Sequence, residues 1–208
     1  MVDYTEQYDQ DPKKIGGNII KGKWFFEYEM EDLLRRAEFN GEEVVWMFEI
    51  DAAYRTGEEN DYTVVLAYCY LDGMIWLRDR LKVKKIITDI IPIIKEWVER
   101  NGYSDSSEIH IEPAGRGIDL VPLMIKYTEM NVIESYKPVK DKLSMVYSIL
   151  TFLKSRRCGR PKGALWWDDF VKECELFPNG THDDQVDTLV MAVKNGETSR
   201  GILASGST

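Results

Sequence analysis

The sequence predicts an α/β fold, with a mixed five-stranded sheet flanked by helices on both faces. Three observations carry this expectation. Residues 43–55, EVVWMFEIDAAYR, hold a continuous apolar run that suits a buried central strand. Residues 62–81 read as two β-rich runs joined by Leu-Asp-Gly. Beyond them, segments of helical periodicity alternate with short strands.

The elements follow in order. Asp72-Gly73 supplies the left-handed backbone of a tight hairpin, so the first three strands form an antiparallel meander. Residues 83–100 place Ile87, Ile90, Ile91, Ile94 and Val98 at helical spacing, with Pro92 either kinking the helix or marking its start. EIHIEP (108–113) is a short strand closed by Pro113, and IDLVPLMIKYTEM is helical. VIESYKP is a strand and KLSMVYSILTFLKS a helix, and DDFVKECELF and DDQVDTLVMAVK give two closing helices. Three antiparallel strands followed by two βαβ crossovers is the order of the ribonuclease H-like fold. Residues 1–43 are expected to form a linker or packed arm with a poorly ordered start, 44–196 the domain, and 197–208 a flexible tail of small polar residues.

Charge patterning bears on function. The net charge of −9 argues against a nonspecific coat for nucleic acid. Residues 137–162 carry eight Lys or Arg against one Asp, and residues 163–187 carry seven Asp or Glu against one Lys. Such blocks are either two solvated surfaces or the two halves of a metal-dependent enzyme acting on phosphate. No apolar run is long enough to cross a membrane, and no signal peptide is recognisable. The three cysteines, Cys69, Cys158 and Cys174, lack CxxC spacing, which disfavours zinc or a disulfide framework and fits a reducing cytoplasm. Basic neighbours make Cys158 alone a candidate for a lowered pKa. The PAGRG stretch lacks the Lys-Ser/Thr of a phosphate-cradling loop.

Carboxylates gather at three element ends. Asp51 ends the first strand. Glu112 ends the fourth, which the proposed order places beside the first and parallel to it. The last helix opens with Asp183, Asp184 and Asp187, next to an apolar stripe of Val186, Leu189, Val190 and Val193. Thr181-x-x-Asp184 also matches a capping box, and acids in a first turn favour the helix dipole. Capping explains one or two of these acids. A pair of Mg²⁺ or Mn²⁺ ions, hard cations that take oxygen ligands, explains the whole set.

The chain resembles the C-terminal nuclease domain of the large terminase subunit of tailed bacteriophages. The stretches that carry the likeness are YDQDPKKIGGNIIKGKWFFEY, FEIDAAYRTGEENDYTVV, IEPAGRG, KPVKDKLSMVYSIL and, most specifically, WWDDFVKECELFPNGTHDDQVDTLVMAV. The resemblance implies an endonuclease that cuts concatemeric double-stranded DNA during viral genome packaging. It implies Asp51, Glu112 and the Asp183/Asp184 pair as ligands of two Mg²⁺ or Mn²⁺ ions, with Asp187 in reserve and His182 as an orienting neighbour. It further implies an ATPase domain in the full-length protein, portal and small-subunit partners, and the cytoplasm of an infected bacterium. One departure is Met145, which stands where such domains often carry Arg after the Asp141-Lys142 pair. Lys137, Lys140, Lys142, Arg156, Arg157 and Arg160 are candidates for DNA phosphate contacts, and Trp166 and Trp167 read as core before they read as base-stacking platforms. Two other readings stay open: a junction resolvase or hybrid nuclease of the same fold, and a non-catalytic docking module of the packaging motor.

Overall fold

A computed structural model of the chain describes residues 18–52, 62–112, 117–135 and 141–205. Residues 1–17, whose start is expected to be poorly ordered, residues 113–116 of the PAGRG stretch, and Lys137 and Lys140 lie outside the described residues.

The meander forms as expected. β2 (Met47–Asp51), β3 (Thr63–Leu71) and β4 (Met74–Val83) pair antiparallel. The turn between β3 and β4 has positive φ at both central residues, 52° at Asp72 and 72° at Gly73, which matches the right-handed twist of the strands. β5 (Ile109–Ile111) lies beside β2, and β6 (Val132–Glu134) beside β5, both parallel. These five strands, in the order β4-β3-β2-β5-β6, make the ribonuclease H-like sheet.

Two further strands extend that sheet to seven: β1 (Phe26–Tyr28) and β7 (Cys158–Pro161), in the full order β1-β7-β4-β3-β2-β5-β6. Their length hides them in the sequence, since three or four residues show no alternation. Aromatic packing holds them in place. Phe26 and Tyr28 each meet Trp76 edge to face at 5.0 Å, and the Tyr28 hydroxyl donates to the Leu77 carbonyl at 2.5 Å. The segment read as an arm therefore enters the sheet and continues into α1 (Met30–Asn40).

β3 is central, and its period-two alternation divides the core. Leu66 and Tyr68 face one layer, with α4 (Lys142–Lys154), α5 (Trp167–Leu176) and α6 (Asp184–Ser205). Val65, Ala67 and Cys69 face the other, with α1, α2 (Ile87–Arg100) and α3 (Gly117–Tyr127). Pro92 sits inside α2, exposed, so it marks no helix start. α6 runs on to Ser205, past the boundary expected at 196. Gly196 lies within it because the helix crosses the sheet closely there: a Cβ would stand 2.5 Å from Ile75 Cδ1.

Candidate metal and nucleic-acid site

The site is a consequence of sheet register. Parallel pairing sets Ile50 opposite Ile111, so Asp51 and Glu112 come next at adjacent strand ends. The buried stripe Val186, Leu189, Val190 and Val193 lays α6 over β2 and β3, and its first turns bring Asp187 and Thr188 to the same place. Glu49, Ile50, Asp51, Glu112, Asp187, Thr188 and Met191 line one pocket.

Burial and mutual repulsion together set the charge state of these acids. Burial raises the Asp51 pKa well above the carboxylate range, and Asp187, Asp184 and Glu112 add to the rise against an opposing pull from Lys142. Burial also raises Asp187. Lys142 draws it back, Asp183 and Glu112 push it on, and the result is about 7. The Lys142 ammonium lies 2.8 Å from Asp183 Oδ2 and 2.5 Å from Asp187 Oδ2. Burial disfavours its charge, but these two carboxylates prevail and hold its pKa above the usual lysine value. Lys142 opens α4, whose preceding residue Asp141 accepts from the Ser144 amide at 2.9 Å. Glu49, on the same strand face as Asp51, is buried and bonded to the Tyr68 hydroxyl at 2.9 Å and Asn195 Nδ2 at 2.7 Å.

The start of α6 is fixed from outside. Glu173 Oε1 accepts from the Gln185 amide at 2.7 Å, and its Oε2 accepts from Gln185 Nε2 at 2.6 Å and Lys82 Nζ at 2.8 Å. Asp169 joins through Arg80 at 2.8 Å, Lys82 at 3.2 Å and Gln185 at 3.2 Å. α6 itself begins at Asp184, so the capping box read at Thr181 gives way, at the Gln185 amide, to a carboxylate supplied by α5. The sequence carries no sign of this, because the partners come from β4 and α5.

The sequence-predicted site residues divide as follows. Asp51, Glu112, Asp184 and Asp187 interact with one another, while Asp183 stands at their rim, paired with Lys142. Among the described residues, the basic candidates take separate places in the fold. Lys142 belongs to the acid cluster. Arg157 donates to the Gly73 carbonyl at 2.7 Å and lies over Phe152, and Arg160 pairs with Glu27. β7 begins beside Ile75, at the end of β4 remote from Lys82, so Arg156 and Arg157 sit far along the sheet from Asp51. Trp167 is buried against Phe25 and Phe170, as core. Burial pushes the Cys158 thiol up, opposite to the lowered pKa its basic neighbours suggested.

The donor set suits a hard divalent cation in its chemistry: all-oxygen, acidic, half-buried and only partly neutralised by Lys142. Among the described residues, no three of His, Cys, Asp and Glu converge closely enough to hold an ion; the Lys142 ammonium reaches Asp183 and Asp187 instead.

No protein-family model and no curated protein matches the sequence. Solved structures do match its fold. The large terminase of the thermophilic bacteriophage D6E superposes with a TM-score of 0.57 at 10% identity, covering 73% of this chain and 39% of that one. The nuclease domain of human cytomegalovirus terminase, soaked with manganese and bound to an inhibitor, gives 0.53 at 13% identity, over 72% and 82%. The large terminase nuclease of thermophilic phage G20c with bound magnesium gives 0.53 at 15% identity, over 73% and 82%. The chain thus has the fold of the terminase nuclease domains and spans 39% of the length of the D6E protein.

Proposed function

We propose that this chain is the nuclease domain of a viral genome-packaging terminase, a divalent-metal-dependent endonuclease that cuts double-stranded DNA with little sequence preference. One observation carries the reading. Two strand-end carboxylates, Asp51 and Glu112, stand with Asp187 of α6 in one pocket, where burial first and the neighbouring acids second hold Asp51 well above the ordinary carboxylate range. The metal-bound states of the cytomegalovirus and G20c domains, which share the fold, support it.

Asp51, Glu112 and Asp184 are the residues that would hold the ions, with Asp187 and Asp183 adjoining. A pair of Mg²⁺ or Mn²⁺ ions there would supply an activated water and charge stabilisation at the leaving oxygen of a phosphodiester. The chain's own contribution is position. The sheet fixes Asp51 and Glu112, and the Glu173–Gln185 contact fixes the end of α6 that carries Asp184 and Asp187. Lys142 limits repulsion among the acids before metal arrives. The ATPase domain, portal and small subunit would be partners of a longer chain.

Supercoiled plasmid tests this reading. The purified chain should nick and linearise it with Mn²⁺ or Mg²⁺ and leave it intact in EDTA. Asp51→Asn and Glu112→Gln should each lower the rate at least about a hundredfold, since several kcal/mol of transition-state stabilisation depend on the ions. Cutting that survives EDTA, or equal cutting by the variants, would overturn the proposal.

A further inference from the structure

A phosphodiester that reaches this site must approach a cluster of carboxylates that repels it. Some cationic surface has to guide it, and among the described residues Lys142 is paired within the acid cluster while Arg156, Arg157 and Arg160 are engaged or lie far along the sheet. A different surface stands at the correct end.

The antiparallel registers pair Asp51 with Val64 and Val64 with Lys82, so Asp51 and Lys82 share one end of the sheet across three strands. Lys84 and Lys85 follow β4 directly, both exposed, in the extended link to α2. Tyr62, just ahead of β3, receives two ammonium groups over its ring: Lys82 Nζ at 4.8 Å and Lys84 Nζ at 4.5 Å from the centroid. The same ring stands edge-on to His182 at 5.4 Å, and His182 precedes Asp183 and Asp184 in the chain. Lysine, tyrosine and histidine thus form a continuous shelf that ends at the acids.

The charges on the shelf are not equivalent. Lys82 is nearly buried and bonded to Glu173 and Asp169, so it serves the interior. Lys84 and Lys85 have no carboxylate within ion-pair distance among the described residues, and solvent reaches both. An exposed ammonium steadied over an aromatic ring keeps its donors free for an oxygen ligand.

We infer that Lys84, held over the Tyr62 ring next to His182, and its exposed chain neighbour Lys85 dock the backbone phosphates of the DNA that leads into the carboxylate site. The inference rests on the nuclease reading for the identity of the polyanion, and it places the phosphates on the β4–α2 link rather than on the basic block at 137–162.

Binding is measured without cleavage. A fluorescein-labelled 20-base-pair duplex is titrated with the full chain in EDTA, by anisotropy, over a series of salt concentrations. Lys84→Gln/Lys85→Gln should weaken binding at least about tenfold at moderate salt and flatten the log–log salt slope by about 1.8, near 0.9 for each phosphate no longer neutralised. Lys95→Gln/Lys126→Gln makes the same charge change on α2 and α3, across the sheet from α6, and should leave both quantities unchanged. An unaltered slope in the Lys84/Lys85 variant, equal losses in both variants, or no duplex binding by the unmodified chain would each overturn the inference. The two proposals separate cleanly. A chain that cuts plasmid but keeps its slope in the variant sinks the shelf alone. One that binds through Lys84 and Lys85 yet never cuts sinks the nuclease alone.

Discussion

At the end of β2, burial raises the Asp51 pKa, Asp187, Asp184 and Glu112 add to the rise, and Lys142 opposes it. Every ionised carboxylate in that group raises the free energy of the others, so the site is held together by the fold and not by itself. Asp51→Asn removes one member of the cluster while keeping the shape. The metal-free protein should therefore gain about 1–2 kcal/mol, a rise in melting temperature of roughly 2–8 °C for a chain of this size. The unmodified protein should be stabilised further by millimolar Mn²⁺, and the variant should lose most of that response. Differential scanning fluorimetry with Mn²⁺ and with EDTA reads both effects, and a variant that melts lower in EDTA would show that repulsion is not the dominant cost. Gly196 makes the opposite case. Replacing a helical glycine by alanine ordinarily stabilises by about 1 kcal/mol. Here the new Cβ would lie 2.5 Å from Ile75 Cδ1 and 2.9 Å from Tyr70 Cδ2. Gly196→Ala should instead destabilise by about 1–3 kcal/mol, measurable as a lower urea midpoint at unchanged slope.

Helix α6 joins the two kinds of information that the sequence holds. Its apolar stripe is local, spaced i, i+3, i+4, i+7, and the acids beside it are local too, so both are legible without coordinates. Its anchoring is not local. Glu173 lies twelve residues before Gln185, and Lys82 comes from β4 on another part of the chain. No spacing rule connects them, because the contact exists only after sheet and helices have met. The same reason separates Asp51 and Glu112, predictable as strand-end neighbours once the order βββαβ is read, from Lys84, whose place over Tyr62 depends on the β3–β4 register. In the basic block at 137–162, charge density in sequence does not tell which arginines close on carbonyls and rings, as Arg157 does on the Gly73 carbonyl and Phe152. A prediction belongs at this scale. Glu173 and Lys82 form a nearly buried pair, 7% and 10% exposed, so Glu173→Ala leaves the ammonium only its longer bond to Asp169 and should cost about 2–4 kcal/mol. Glu173→Gln, which keeps an oxygen for the Gln185 amide, should lose less. If urea unfolding places the two variants level, the charge pair rather than the cap governs the end of α6.

Across the whole molecule, the seven-stranded sheet includes residues that the sequence places outside the domain. Ile20, Phe25, Tyr28, Leu33 and Ala37 are all within 5% of full burial and divide between the two core layers. β1 pairs in parallel with β7, which in turn pairs with β4, so the N-terminal segment closes one edge of the sheet through a strand formed more than a hundred residues later. The fit is tight at Gly159, where a Cβ would stand 2.4 Å from the Phe26 ring. A chain that begins at residue 44, the boundary expected from composition, would lose these side chains, the bond to the Leu77 carbonyl and the edge-to-face pairs on Trp76. Each buried aromatic or aliphatic side chain contributes about 1.5–3 kcal/mol, and their sum rivals the whole stability of a typical domain. The shortened chain should therefore fail to unfold cooperatively in urea, with β7 left as an unpaired edge prone to association. The full chain should show a single sharp transition. Should the shorter chain melt in one transition with the same slope, the edge strands would be an appendage to an independent five-stranded domain, because the slope tracks the surface exposed on unfolding.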